Sequence, residues 1–162
     1  MEGLGAGAEG LEVAVLVGLQ ASGKSAFYRR HLAATHVHVS KDLWPNARHR
    51  QRRQLRLIAE ALVEGRSVAV DNTNPSPEEW SPLIVAAREH AARVVAYWFP
   101  PDLAASLERN AARSGRARVP EVGVRATYRR LRRPRRADGF DVVRVVTFDG
   151  RCGFVVRGLE GP

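Results

Sequence analysis

Hydrophobic residues in this chain fall into short runs separated by polar, helix-periodic segments. Leu11-Glu-Val-Ala-Val-Leu-Val17 is nearly continuous, the pattern of a strand buried on both faces, and it stops at a glycine. A turn follows, then an expected helix from Ala26 to about His31. Val37 and Val39 alternate with His38 and Ser40, which predicts a short strand ending near Asp42. Leu55, Ile58, Ala59 and Leu62 form one helical stripe, with Asn46 placed to cap that helix and Gly65 to end it. Ser67–Val70 reads as a strand stopped by Asp71-Asn-Thr-Asn-Pro75, and Pro77–His90 as a helix with acidic residues in its first turn.

Arg93–Phe99 is a further strand, closed by Pro100-Pro101. Asp102 caps a helix to about Ala112, Ser114–Pro120 is a basic loop, and Glu121 to about Arg132 is again helical. Val142–Val146 is the last core strand, and Phe154–Val156 adds an edge strand. Strands alternating with helices predict an α/β fold of three layers, α/β/α, around a mainly parallel sheet. With no internal repeat and no linker, one domain is expected over 11–158, after a mobile start at Met1–Gly10.

Composition narrows the class. At 162 residues and 44% hydrophobic, the chain can bury a real core, and 27% charge with three Trp argues against wholesale disorder. The longest apolar run, Val13–Leu19, is far short of a membrane span, and the Gly/Ala-rich start lacks the basic region of a signal peptide. A single cysteine, Cys152, allows no internal disulfide, and no Cys/His pairs sit at zinc spacing, so a cytoplasmic protein is expected. The net charge of +9 points to an anionic partner. Of 26 basic residues only Lys24 and Lys41 are lysines.

Lys24 lies in Gly18-Leu-Gln-Ala-Ser-Gly-Lys-Ser25, a complete G-x-x-x-x-G-K-[ST] run between a predicted strand and a predicted helix. In such a loop the backbone N–H groups from Gly18 through Ala21, Ser22 and Gly23 wrap phosphates, and the helix N-terminus adds positive potential. Lys24 would reach the β- and γ-phosphates and the Ser25 hydroxyl would ligate Mg²⁺, so ATP with Mg²⁺ is the expected ligand pair. Asp42 and Asp71 both follow strands, which puts them on the same sheet edge as this loop. One carboxylate can take the proton of an acceptor hydroxyl and the other can help hold Mg²⁺; each also suits a cap or a turn.

The phosphate loop, the strand-Ser-Lys41-Asp42 run, Val-Asp71-Asn-Thr-Asn-Pro, and Arg109-Asn110-x-x-Arg113 with Val119-Pro120 occur in that order. In this order they resemble the kinase domain of polynucleotide 5′-hydroxyl kinases, over about Val13 to Phe140. The resemblance implies a P-loop kinase-like fold with a basic lid at about 109–120. It also implies transfer of the ATP γ-phosphate to a 5′-hydroxyl end of DNA or RNA. Asp42 would be the general base, Arg113 the lid arginine on the transferring phosphate, and Arg109 its support. Asp71, with Asn72 beside it, matches the turn near the acceptor site. One departure is Pro45, where the phage branch carries an acceptor-binding arginine; Arg48 or Arg52 are the candidates to replace it. No phosphatase module is present, so kinase activity alone is expected.

From Arg109 to Arg136 there are eleven arginines and one acid, Glu121. Arg125, Arg129, Arg132 and Arg133 share a helical face, as do Arg48, Arg52 and Arg56. Each face is either a solvated surface or a track for nucleic-acid phosphates. Trp44, two residues past Asp42, is either core or a platform for a terminal base. The histidines form no ligand cluster. Two other functions stay open: a kinase of a small hydroxylated metabolite, and a nucleic-acid-binding module that hydrolyses NTP.

Overall fold

β1, Glu12–Val17, is the axis around which the rest is built, with Val13 through Val17 fully buried. A strand covered on both faces has no polar side, which is why its sequence is continuously apolar. The structure, a computed structural model, describes residues 10–158; the expected mobile start lies outside them except for Gly10.

β1 is flanked by β3, Ser67–Asp71, and β4, Arg93–Trp98. Beyond these lie β2, His36–Val39, and β5, Val142–Phe148. The six-stranded order is β2-β3-β1-β4-β5-β6; every pairing is parallel except that of β6, Phe154–Gly158, which returns antiparallel along β5. Helices cover both faces, giving the three-layer α/β arrangement. On one face α2, Arg50–Val63, and α3, Pro77–Glu89, bring Ile58, Leu62, Trp80 and Leu83 onto Val13, Val15 and Val17. On the other, Phe27, Leu32 and Phe99 pack on Ala14 and Leu16. No helix among the described residues is long and apolar enough to cross a membrane.

Several local expectations shift. The first helix, α1 at Lys24–Phe27, starts two residues earlier than expected, inside the glycine loop, and continues as a π-turn over Tyr28–Leu32. Asn46 does not cap α2. That helix begins at Arg50, preceded by His49 in a left-handed conformation at φ 56. Trp44 packs against the core, and 45–49 forms a largely exposed turn before the helix begins. The buried stripe of α2 is accordingly Gln54, Ile58, Ala61 and Leu62. Arg48 therefore lies off the helix that carries Arg52 and Arg56.

α4, Leu103–Ala111, starts at Asp102, whose carboxylate accepts from the Ala105 N–H at 3.1 Å, as a cap should. α5, Glu121–Arg130, ends before Arg132, whose N–H donates to Pro75 O at 2.8 Å. The expected face of Arg125, Arg129, Arg132 and Arg133 is thus not one helical face.

The turn after β3 ties the central strands together. Asn74, itself left-handed at φ 44, donates from Nδ2 to Leu16 O at 2.8 Å and to Val70 O at 3.3 Å. Its carbonyl accepts from Trp80 Nε1 at 2.6 Å. Asn74→Ala removes the donor to buried carbonyls and places a poorer left-handed residue there; unfolding free energy should fall by about 2–3 kcal/mol. Asn74→Gly keeps the backbone relaxed and should recover about 1 kcal/mol of that loss. Equilibrium urea unfolding of both variants checks the ranking.

Candidate active site

The loop between β1 and α1 is shaped by two left-handed residues, Ala21 at φ 57 and Gly23 at φ 94. Left-handed residues alternating with others, as Ala21 and Gly23 do about Ser22, point neighbouring N–H groups into one concavity, which suits an anion. A side chain is excluded at Gly18 by contact and disfavoured at Gly23 by its left-handed backbone. A Cβ on Gly18 would sit 2.8 Å from Phe99 Cβ, and one on Gly23 would sit 3.0 Å from Phe148 Cζ. Lys24 folds back over the loop and is buried, its ammonium donating to Gly18 O at 3.0 Å and Leu19 O at 2.5 Å. Burial, with the positive charge of Arg113 adding to it, pushes its pKa down to about 8 against the pull of Asp71 and Asp42.

Ser25 at the start of α1 donates its hydroxyl to Asp71 Oδ2 at 2.7 Å, and His38 Nε2 donates to the same oxygen at 2.9 Å. Tyr28 stacks on His38 with ring centroids 4.4 Å apart and donates its hydroxyl to His36 O at 2.7 Å. Asp71 is buried, which pushes its carboxyl up. The hydrogen bonds from His38 and Ser25 and the charge of Lys24 outweigh this, so it is held below the ordinary Asp range and ionised at neutral pH. A hydroxyl and a carboxylate this close are hard oxygen donors of the kind that suits Mg²⁺. Among the described residues no three His, Cys, Asp or Glu side chains gather to hold a metal by themselves.

The turn that carries Asp42 is held from beneath. Asn72 Oδ1 accepts from the Lys41 N–H at 2.9 Å, and its Nδ2 donates to the buried Gln54 at 2.8 Å. Ser40 Oγ accepts from the Asp42 N–H at 3.3 Å and caps the 3₁₀ turn Lys41–Leu43. Asp42 itself is exposed, in one cleft of about 830 Å³ with Lys24, Ser25, Asp71 and Arg113.

Opposite, the segment after α4 is pinned at both ends by one amide. Asn110, buried, donates to Val119 O at 2.6 Å and accepts from the Val119 N–H at 2.9 Å. The loop between them carries Arg113 and Arg116 into the cleft. Arg109 reaches instead to the phosphate loop, donating from Nε to Ala21 O at 2.6 Å, with its guanidinium 5.2 Å from the Phe148 ring centre. Beside it an apolar recess opens next to Ser22, walled by Phe99, Phe148 and Phe154.

The cleft thus collects Ala21, Ser22, Gly23, Lys24, Ser25, Asp42, Asp71, Asn72 and Arg113, which came from four separate stretches of sequence. Arg109 borders the neighbouring recess. Trp44, Arg48 and Arg52 do not line the cleft; Pro45 and Arg50 do. Asn72 commits its Oδ1 to the Asp42 turn and its Nδ2 to Gln54 on α2. His38 and Gln54 were not legible as site residues, because their partners lie 33 and 18 positions away and meet them only through the packing of β2, β3 and α2. The alternation that put His38 opposite Val39 was the one available signal.

A sequence profile described as an AAA domain matches residues 13–137, and the chain belongs to that family. Among solved structures it is similar to a chain of the Pnkp1/Rnl/Hen1 RNA repair complex, with a TM-score of 0.65 and 20% identity over 76% of this chain and 44% of that one. It is also similar to a fungal RNA kinase, at 0.65 and 15% over 85% of this chain and 38% of that one. Kti12 of Chaetomium thermophilum, solved with ADP-AlF3, matches at 0.67 and 14% over 85% of this chain and 89% of that one. At these identities the likeness establishes the P-loop kinase fold. The chain spans less than half the length of the RNA repair chain and of the RNA kinase.

The lowered Lys24 pKa makes two measurable statements. Between about 8 and the ordinary lysine value of 10.5 the unfolded chain holds a proton that the folded chain has lost, so folding stability gains as pH rises through that window. Lys24→Met should lack this gain when the two urea-unfolding curves are compared across it. Bound anions favour the charged lysine, so ATP affinity should decline as pH rises above about 8. Titration calorimetry at a series of pH values checks this.

Proposed function

We propose that this AAA-domain protein is an ATP-dependent phosphotransferase that phosphorylates the 5′-hydroxyl end of a nucleic-acid strand. The single observation behind this reading is the exposed Asp42 carboxylate, held on a pinned turn in the same cleft as the phosphate loop and Arg113. A carboxylate so placed can take the proton of a hydroxyl brought into the cleft. The cleft wall also carries Arg29, Lys41, Arg50, Arg116 and Arg130 in addition to Lys24 and Arg113, against the acids Asp42, Asp71 and Glu79. That balance favours an anionic acceptor over a neutral one. Likeness of fold to an RNA repair chain and a fungal RNA kinase supports the same choice.

In this reading the N–H groups of the phosphate loop beyond Gly18, with Lys24, hold the triphosphate, and the recess between Arg109 and the phenylalanines takes the base. Ser25 and Asp71 would hold Mg²⁺, which supplies charge neutralisation between the β- and γ-phosphates. Asp42 orients the acceptor hydroxyl and takes its proton as the oxygen attacks. Arg113, brought over the cleft by the clamped lid, faces the charge on the transferring group. Little covalent chemistry is asked of the protein; position and preorganised charge do the rest.

Incubation with γ-labelled ATP, an oligonucleotide and a panel of hydroxylated metabolites tests the assignment. Label on the oligonucleotide is expected; label on a metabolite or as free phosphate alone would replace this reading with a metabolite kinase or a hydrolase. Asp42→Asn should lower turnover by about 10²–10⁴ with ATP binding little changed. Arg113→Ala should cost roughly 10³ in rate. Arg118, on the same loop but outside the cleft, should change it only a few-fold when replaced by Ala. Steady-state kinetics of the three variants gives the ranking.

A further inference from the structure

The two walls beside Asp42 differ in how their positive charge is balanced. On one side Glu79 takes both Lys41 at 3.8 Å and Arg130 at 3.7 Å. On the other, Pro45 and Arg50 form the wall, and Arg48, Arg52 and Arg53 continue outward from it, all exposed. No acidic residue occurs between Asp42 and Glu60. Among the described residues none of these four arginines makes a salt bridge. Arg53 instead lies over Trp44, 4.6 Å from the ring centre, and the indole is packed against the core beneath it.

Four guanidiniums in six positions without a counter-charge repel one another. A partner with regularly spaced negative charges relieves that repulsion and releases the counterions gathered there. Of these four arginines, a small molecule bearing one phosphate at Asp42 would meet only Arg50, because the other three lie outside the cleft.

We propose that Trp44–Arg53 is a track for the backbone phosphates of one nucleic-acid strand, leading away from the end held at Asp42. The proposal rests on the nucleic-acid reading above and goes beyond it by choosing between two arginine-rich faces. The face on and after α5 is less suited. There Arg125 pairs with Glu121 at 2.9 Å and Arg135 with Asp138 at 3.9 Å, and the helix ends before Arg132. The Trp44–Arg53 stack further offers a flat cationic surface on which a base can lie.

Fluorescence anisotropy with end-labelled di-, tetra- and octanucleotides, without ATP and at several salt concentrations, tests it. Affinity is expected to rise with length, with a log–log salt slope of about 0.7 per contacted phosphate. The double variant Arg48→Gln/Arg52→Gln should reduce the octanucleotide slope by about 1.4 and leave dinucleotide binding alone. Arg129→Gln/Arg133→Gln should leave both. The melting temperature of the first variant should be unchanged or higher, which separates lost binding from unfolding. A wild-type slope in the first variant, a flattened slope in the second, or equal competition by polyglutamate would overturn the proposal. A transfer assay on the same oligonucleotides is scored separately. Binding along the track without transfer would sink the catalytic reading and keep the track; transfer that ignores both length and salt would do the reverse.

Discussion

Everything at the cleft hangs on the turn Asp71–Pro75, because among the described residues it is the segment bonded to both the phosphate loop and the Asp42 turn. Thr73 O accepts from the Gly18 N–H at 3.0 Å, Asp71 takes the Ser25 hydroxyl, and Asn74 holds the end of β1. Asn72 on the same turn reaches the other way, to Lys41 and Gln54. Parallel pairing of β1 and β3 makes this possible, since it brings the carboxyl ends of both strands to one edge. A shift of this turn would move both halves of the cleft together, so the spacing of the phosphate loop and the Asp42 turn is set by one element.

Against that rigid floor the opposite wall is a loop with a fixed base. The Asn110 amide closes the two ends at Val119, so the arginines between them ride on a short arch whose feet do not separate. Those side chains are exposed and make few contacts of their own; Arg113 reaches only Ala117 O at 3.5 Å. Low contact density in a clamped loop is the arrangement from which local closing motions are drawn. The proposed phosphoryl transfer would use this division: positioned groups beneath, adjustable charge above.

Charge explains the cost of the site as well as its purpose. Lys24 is buried among carbonyls with its charged form disfavoured, and Asp71 is buried with its charged form favoured by three neighbours. The two partly compensate each other, which keeps a cation in a place otherwise unfavourable to it. His38 adds a second hydrogen bond to Asp71 without adding a carboxylate, and Tyr28 keeps that ring in place.

By itself the sequence determined the strands, most of the helices, the phosphate loop and the two strand-end carboxylates. These depend on contiguous residues: period-2 and period-3.6 burial, glycines at left-handed turns, and carboxylates that follow parallel strands. Tertiary structure alone decided which side chains serve those carboxylates. His38 meets Asp71 only because β2 lies beside β3, and Asn72 meets Gln54 only because α2 packs over both. It also decided which arginines share a surface. Trp44 packs on the core and α2 begins only at Arg50, while α5 stops at Arg130, so neither periodic arginine stripe lies on a single helix. Strand order and helix ends are set by competition for core contacts across the whole chain, and that competition leaves no mark at any one position.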